Sequence, residues 1–256
     1  MTQYGICLLT TVPIRFNSDH KSQMVSQLIF GETYSIIEST ESWLKIVTTD
    51  DSYQGWIDVA QHTQLSENEF SNTQSTDRFY SLGPIDGIVN QTNGLITILT
   101  IGSILYGKSQ FSISDSHFVF HGEINQPNQN SITKSILECA KSCMGFPYLW
   151  GGKTIMGFDC SGFVQVIFRM NGIMMPRDAS QQIAIGTEIP FENAQAGDLA
   201  FFGDQHSVTH VGIISNGNSI IHCSAKVRKD TIDQKGIISS DSQQYTHQLL
   251  SVRRII

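Results

Sequence analysis

The chain has no block of Lys and Arg, few charged residues of either sign and no long apolar run. Sixteen basic residues stand against 23 acidic ones, a net charge of −7 over 256 residues. That balance leaves no electrostatic footprint for nucleic acid or an anionic membrane surface, so neither is expected as a partner. The opening segment, MTQYGICLLTTVPIR, lacks a basic flank and an extended apolar core. No signal peptide or transmembrane span is expected from it, and a cytoplasmic location is. Cysteine is scarce: five residues, an odd count, argue against a disulfide framework and fit a reducing compartment. Cys139 and Cys143 lie one helical turn apart, but no second pair has ligand spacing, so no metal and no cofactor is expected.

What is present divides the chain by character. Over 1–125, short alternating runs read as β-strands: Ile6–Thr11, Thr33–Glu38, Trp43–Thr48, Gly55–Val59, Gly94–Leu99, Ser103–Leu105 and Phe118–Phe120. The polar stretch 61–77 reads as a link between two small β units, at 1–62 and 78–124. After 126–130 the pattern changes. Ser131–Met144 carries Ile132, Ile136, Ala140 and Cys143 at helical spacing. Cys160–Met170 is apolar nearly all round, and Asn171-Gly172 supplies a helix stop. Strands are expected at Asp198–Phe202, His210–Ser215, Ser219–Cys223 and Leu249–Ile255. Helices first and antiparallel strands after make 130–256 an α+β domain.

The chemistry centres on Gly157-Phe-Asp-Cys-Ser-Gly-Phe163. A lone buried cysteine at a helix start is most often packing. Cys160 differs in standing between Asp159 and Ser161 at the mouth of an apolar helix, where the helix N-terminus favours a thiolate. A nucleophile needs a base. His210 and His222 flank the turn Asn216-Gly217-Asn218, and a hairpin folded there sets them nearly opposite each other on one face. One takes the thiol proton and the other fixes its tautomer; spacing alone leaves open which is which. His206 is a rival base, but it falls in a loop.

Phe158-Asp-Cys-Ser-Gly-Phe163, with Pro147-Tyr-Leu-Trp-Gly-Gly152 before it and Ala196-Gly-Asp-Leu199, His210-Val-Gly-Ile213 and His222 after it, resembles the NlpC/P60 cysteine peptidases. The resemblance implies a papain-like core with Cys160 as nucleophile, His210 as base and His222 as orienting residue. It also places Tyr148 near the thiol, where it helps hold the oxyanion. Upstream, FGETYSIIESTESWLKIVTTDDSYQGWID resembles a bacterial SH3 (SH3b) domain. Residues 78–124 resemble a degenerate SH3-like barrel or an extension of the first.

The N-terminal half is similar to that of γ-D-glutamyl-L-diamino-acid endopeptidases of the dipeptidyl-peptidase VI type. That likeness implies hydrolysis of the γ-D-Glu–L-diamino-acid bond in free murein tripeptides or tetrapeptides with N-terminal L-Ala, a cell-wall peptide recycling reaction; a monomer is expected. It implies substrate contacts at Asp159, Ser161, Tyr53, Ser180 and Trp150. Gln23 stands where that group has a glutamate, which weakens the anionic grip on the substrate ammonium. Two other readings remain open: a hydrolase of intact peptidoglycan, and a non-catalytic binder of murein peptides.

Overall fold

A computed structural model describes residues 2–125 and 132–256. The change of character expected at 126–130, and the expected helix start at Ser131, lie outside the described residues. The described chain forms two compact units. One holds 2–125 together with Lys153–Ile155. The other holds 132–152 and Met156–Ile256.

The first unit is built on a seven-stranded antiparallel sheet over residues 3–65. Alternation along Thr11–Arg15 and Trp43–Thr48 turns Val12, Ile14, Leu44 and Ile46 into one core with Leu28, Tyr34 and Ile57. The expected strand Ile6–Thr11 is instead the gap between two strands, Gln3–Ile6 and Thr11–Arg15. Its apolar residues serve the core from a loop: Cys7 is buried there, and its backbone bonds Gly31 and Glu32.

The polar stretch 61–77 is not a plain linker. It holds the strand Thr63–Leu65 and the helix Glu67–Ser75. Ser66 and Glu69 form a capping box at the helix start, and Phe70 stacks on Tyr4 with ring centroids 4.0 Å apart. That S-x-x-E signal was present in the sequence. Beyond it, a four-stranded and a three-stranded sheet use residues 79–125. They pack on the first sheet: Tyr106 Oη donates to the Gly31 carbonyl at 2.8 Å, and Phe118 meets Phe30 edge-on at 5.7 Å. A buried ion pair, Lys153 Nζ to Glu32 Oε1 at 2.6 Å, ties Lys153 into the same unit.

The second unit sets helices against a curled antiparallel sheet. Its strands run in the order Thr187–Ile189, Tyr245–Arg254, Leu199–Gly203, Val208–Asn216, Ser219–Ser224, Lys226–Ile232 and Gly236–Ile238. The last also pairs with Tyr245–Arg254, so six of the strands close on themselves. Ala200, Phe202, Ile214, Ile220, Ile232, Ile237 and Val252 fill the interior. The helix Cys160–Met170 has every residue buried and packs on Val208–Asn216 and Ser219–Ser224. The helix Ile132–Ser142 buries Ile136, Cys139 and Ala140. Asp198 accepts from Arg254 Nε at 2.9 Å and from the Gln195 N–H at 2.7 Å, the structural role expected of a turn carboxylate.

Candidate active site

Cys160 opens its helix because Asp159 stops the preceding extended chain and caps it. The Asp159 Oδ1 accepts the Gly162 N–H at 2.7 Å, satisfying a donor that the helix cannot pair itself. Gly162 is required there: a Cβ would lie 2.3 Å from the Gly152 carbonyl oxygen. Asp159 is fully engaged. Its Oδ2 accepts from the Gly151 N–H at 2.8 Å and from Arg177 Nη2 at 2.6 Å, while Arg177 Nη1 reaches Oδ1 at 3.0 Å. Arg177 also donates to Ser161 Oγ at 3.1 Å, and it is only 1% exposed. The two residues flanking Cys160 are therefore joined through one buried guanidinium, a fork-to-carboxylate geometry that fixes the helix mouth.

The Cys160 thiol is pushed up to about 11, chiefly by burial and then by the Asp159 charge. Backbone N–H groups of Val211 and Ser161, and Arg177, pull the other way. The resting residue is thus a thiol whose proton must go to a neighbour. Val211 follows His210 directly, so the N–H that meets the sulfur belongs to the strand that carries His210.

His210 and His222 do meet: His210 Nε2 lies 2.8 Å from His222 Nδ1, with the rings edge-on. They are not opposite each other, however. The hairpin turns at Gly217-Asn218, and an irregularity between Ile214 and Asn216 shifts the register, so that His222 faces Gly212. The two rings reach each other along the diagonal. Gly212 makes this possible, since a Cβ there would stand 2.7 Å from the His222 Cβ. Burial holds the His210 ring well below the usual imidazole range, and His222 and His247 add to the effect. The ring is neutral at neutral pH.

Two members of the cluster escaped the sequence reading. Asp230 Oδ2 sits 3.0 Å from His222 Nε2, and Arg228 is paired with Asp230 in turn. Their strand, Lys226–Ile232, buries Val227, Asp230 and Ile232, a pattern without alternation that gave the sequence no signal for Asp230. His247 stacks on His210 with centroids 4.2 Å apart and planes 28° from parallel. It comes from the strand Tyr245–Arg254, which begins four residues before the expected Leu249.

The remaining candidates are placed as follows. Tyr148 is in the same charge environment as Cys160 and Asp159: burial first and these two next push its hydroxyl up to about 12. Its N–H bonds the Ala225 carbonyl at 2.9 Å. Trp150 is 60% exposed. Ser180 lies exposed on the short helix Ala179–Gln182. His206 is on the exposed loop, its N–H on Asp204. Gln23 and Tyr53 belong to the first unit. Gln23 is exposed just before Met24–Ile29, and Tyr53 is half-buried in the turn after Trp43–Thr48, its N–H on Thr48 Oγ1 at 2.8 Å.

Residues 145–254 match the NlpC/P60 family, and residues 14–61 match the bacterial dipeptidyl-peptidase SH3 domain. The chain is 26% identical over 248 residues to a gamma-D-glutamyl-L-lysine dipeptidyl-peptidase of Bacillus subtilis, covering 90% of this chain and 80% of that one. It is 25% identical over 245 residues to dipeptidyl-peptidase 6 of Lysinibacillus sphaericus, covering 85% and 87%. A crystal structure of an NlpC/P60 family protein from Bacillus cereus shares the fold, with TM-score 0.81 at 19% identity over 98% of this chain and 99% of that one. The chain therefore carries an NlpC/P60 peptidase domain over residues 145–254, with a bacterial SH3 domain over 14–61 ahead of it.

Proposed function

We propose that this chain is a cytoplasmic cysteine peptidase of murein peptide recycling. It hydrolyses the γ-D-Glu–L-diamino-acid bond of free tripeptides or tetrapeptides that begin with L-Ala. The observation that carries this reading is the Cys160 helix mouth beside the buried His210–His222 pair. Similarity to the B. subtilis dipeptidyl-peptidase extends over both units, not the catalytic one alone, and supports the substrate class.

In this reading the neutral His210 takes the Cys160 proton as sulfur attacks the γ-carbonyl carbon. The C–N bond to the diamino acid breaks, and His210 returns the proton to the leaving amine. Water, deprotonated by His210, then releases L-Ala-D-Glu and restores the thiol. His222 orients His210. Tyr148 and the N–H groups at the helix start face the oxyanion. Asp159, Ser161, Ser180 and Trp150 contact substrate in the catalytic unit, while Tyr53 and Gln23 of the SH3b domain are carried as substrate contacts on the family resemblance alone. Because Arg177 already neutralises Asp159, a substrate ammonium is an additional partner for that carboxylate, not its first one. The β sheets at 3–65 and 79–125 support reading the N-terminal half as two SH3-like modules, and the protein acts as a monomer without cofactor.

Incubation with L-Ala-γ-D-Glu-L-Lys and with its N-acetylated form, read by mass spectrometry, tests the proposal. Only the free-amine peptide should lose its lysine. Equal cleavage of both removes amine recognition, and release of fragments from intact sacculi at a comparable rate would replace recycling with wall hydrolysis.

A further inference from the structure

His210, His222 and Asp230 lie on three adjacent strands, His222 and Asp230 two residues from the core residues Ile220 and Ile232 and His210 two from Gly212, so by strand alternation they share one face of the sheet along a diagonal. All three are nearly inaccessible, at 5%, 1% and 4% exposed. A chain of three buried polar groups is expensive unless every proton is assigned. Here the assignment follows from the partners alone.

Asp230 has acceptors only. Its Oδ1 takes the Ser240 N–H at 2.9 Å and Arg228 Nη2 at 3.0 Å. Its Oδ2 faces His222 Nε2 at 3.0 Å. Arg228 Nε is 2.8 Å from Oδ2 but off the hydrogen-bond direction, so that contact is ionic. Burial opposes the charge on Asp230, yet these donors outweigh it and hold the carboxyl well below its usual range. His222 must then carry its proton on Nε2, which leaves Nδ1 bare. A bare Nδ1 at 2.8 Å can only accept from His210 Nε2–H. That leaves His210 with a bare Nδ1, the nitrogen free to act as base. His247 stacks on His210 from the remaining strand, and its own hydrogen bond goes to Thr246 Oγ1 at 2.9 Å, so it does not compete for either nitrogen of the relay.

We propose that Asp230 is a positioning residue of the catalytic centre: its carboxylate sets the tautomer of His222, which sets that of His210 and keeps Nδ1, the base nitrogen, unprotonated. The inference rests on the reading of Cys160 and His210 as nucleophile and base.

Asp230→Asn is the sharp test. Its amide oxygen belongs at the Oδ1 position, where Ser240 and Arg228 donate, so its NH₂ faces His222 Nε2. That forces His222 to hold its proton on Nδ1 and to donate it to His210, whose own proton moves to Nδ1. The base nitrogen is then blocked. Asp230→Ala removes the acceptor without imposing the wrong donor. The full-length protein, with ¹⁵N-labelled histidine, gives the tautomers by long-range ¹H–¹⁵N correlation. Alkylation of Cys160 by iodoacetamide across pH, read at its peptide by mass spectrometry, gives the consequence.

The expected result is Nε2–H on both His222 and His210 in the wild type and Nδ1–H on both in Asp230→Asn. Alkylation at neutral pH falls by about 10²-fold or more in Asp230→Asn, short of the ~10⁴ seen where a misplaced amide touches the base directly. The loss in Asp230→Ala is smaller. An Nδ1–H His222 in the wild type overturns the proposal even if the variant does not fold. So do unchanged tautomers in Asp230→Asn, or equal losses in the two variants. Neither readout uses a peptide substrate, so failure of the tripeptide to be cleaved bears on the proposed function and leaves this result standing.

Discussion

Replacing Arg177 with methionine strips the buried Asp159 carboxylate of its cation while keeping a long apolar stem in the space. Both partners are enclosed, with side chains 1% and 10% exposed, and the pair is two-pronged at 2.6 and 3.0 Å. Removing one member of such a pair costs about 3–5 kcal/mol, because the other charge stays buried. The Gly151 and Gly162 N–H groups remain on the carboxylate and keep the loss near the lower end. Native-state hydrogen exchange of the Cys160–Met170 helix reads this locally. At one decade per 1.4 kcal/mol, protection of the slowest amides should fall by roughly two to three orders of magnitude. The double variant Asp159→Asn/Arg177→Met keeps a capping side chain but has no buried charge, and it should recover most of the loss. Protection within threefold of wild type in Arg177→Met, or a double variant worse than the sum of its parts, would refute the claim that this ion pair fixes the helix mouth.

Two further outcomes follow from the same geometry. Gly212→Ala puts a methyl against the His222 Cβ and Ile220, which should destabilise the unit by about 1–3 kcal/mol and lower kcat more than it raises KM, as measured by urea unfolding and peptide kinetics. His210 is held below the ordinary imidazole range, so its neutral, base form persists as pH falls through 6.5. The acid limb of kcat/KM should therefore lie below pH 6.5, and an acid limb above pH 7 would contradict that environment.

The chemistry was legible where it is local in sequence. Asp159-Cys160-Ser161-Gly162 encodes the cap, the proposed nucleophile and the close helix approach within four residues. The hairpin turn made the His210–His222 pairing visible, but not its diagonal register. That register depends on an irregularity at Ser215, which no alternation pattern signals. Arg177 and Asp230 were not found because each acts through a partner distant in sequence, Asp159 and His222, and charged side chains read as solvated until burial is known. His247 was missed for a simpler reason: polar residues at Tyr245–Gln248 mask the start of a strand whose covered positions lie further on. In the first unit the alternation found the SH3-like strands Trp43–Thr48 and Thr33–Ser39, whereas the polar surface of Glu67–Ser75 hid a helix that only its capping box announces.

The covalent step at Cys160 is the centre of the proposed mechanism. Rapid mixing of the full-length protein with L-Ala-γ-D-Glu-L-Lys, acid quench and intact-mass analysis would catch the acyl-enzyme, and peptide mapping would locate it. A transient L-Ala-γ-D-glutamyl adduct on Cys160 is expected in the wild type, with no adduct and no turnover in Cys160→Ala. Undiminished turnover by Cys160→Ala, or an adduct on another residue, would contradict it.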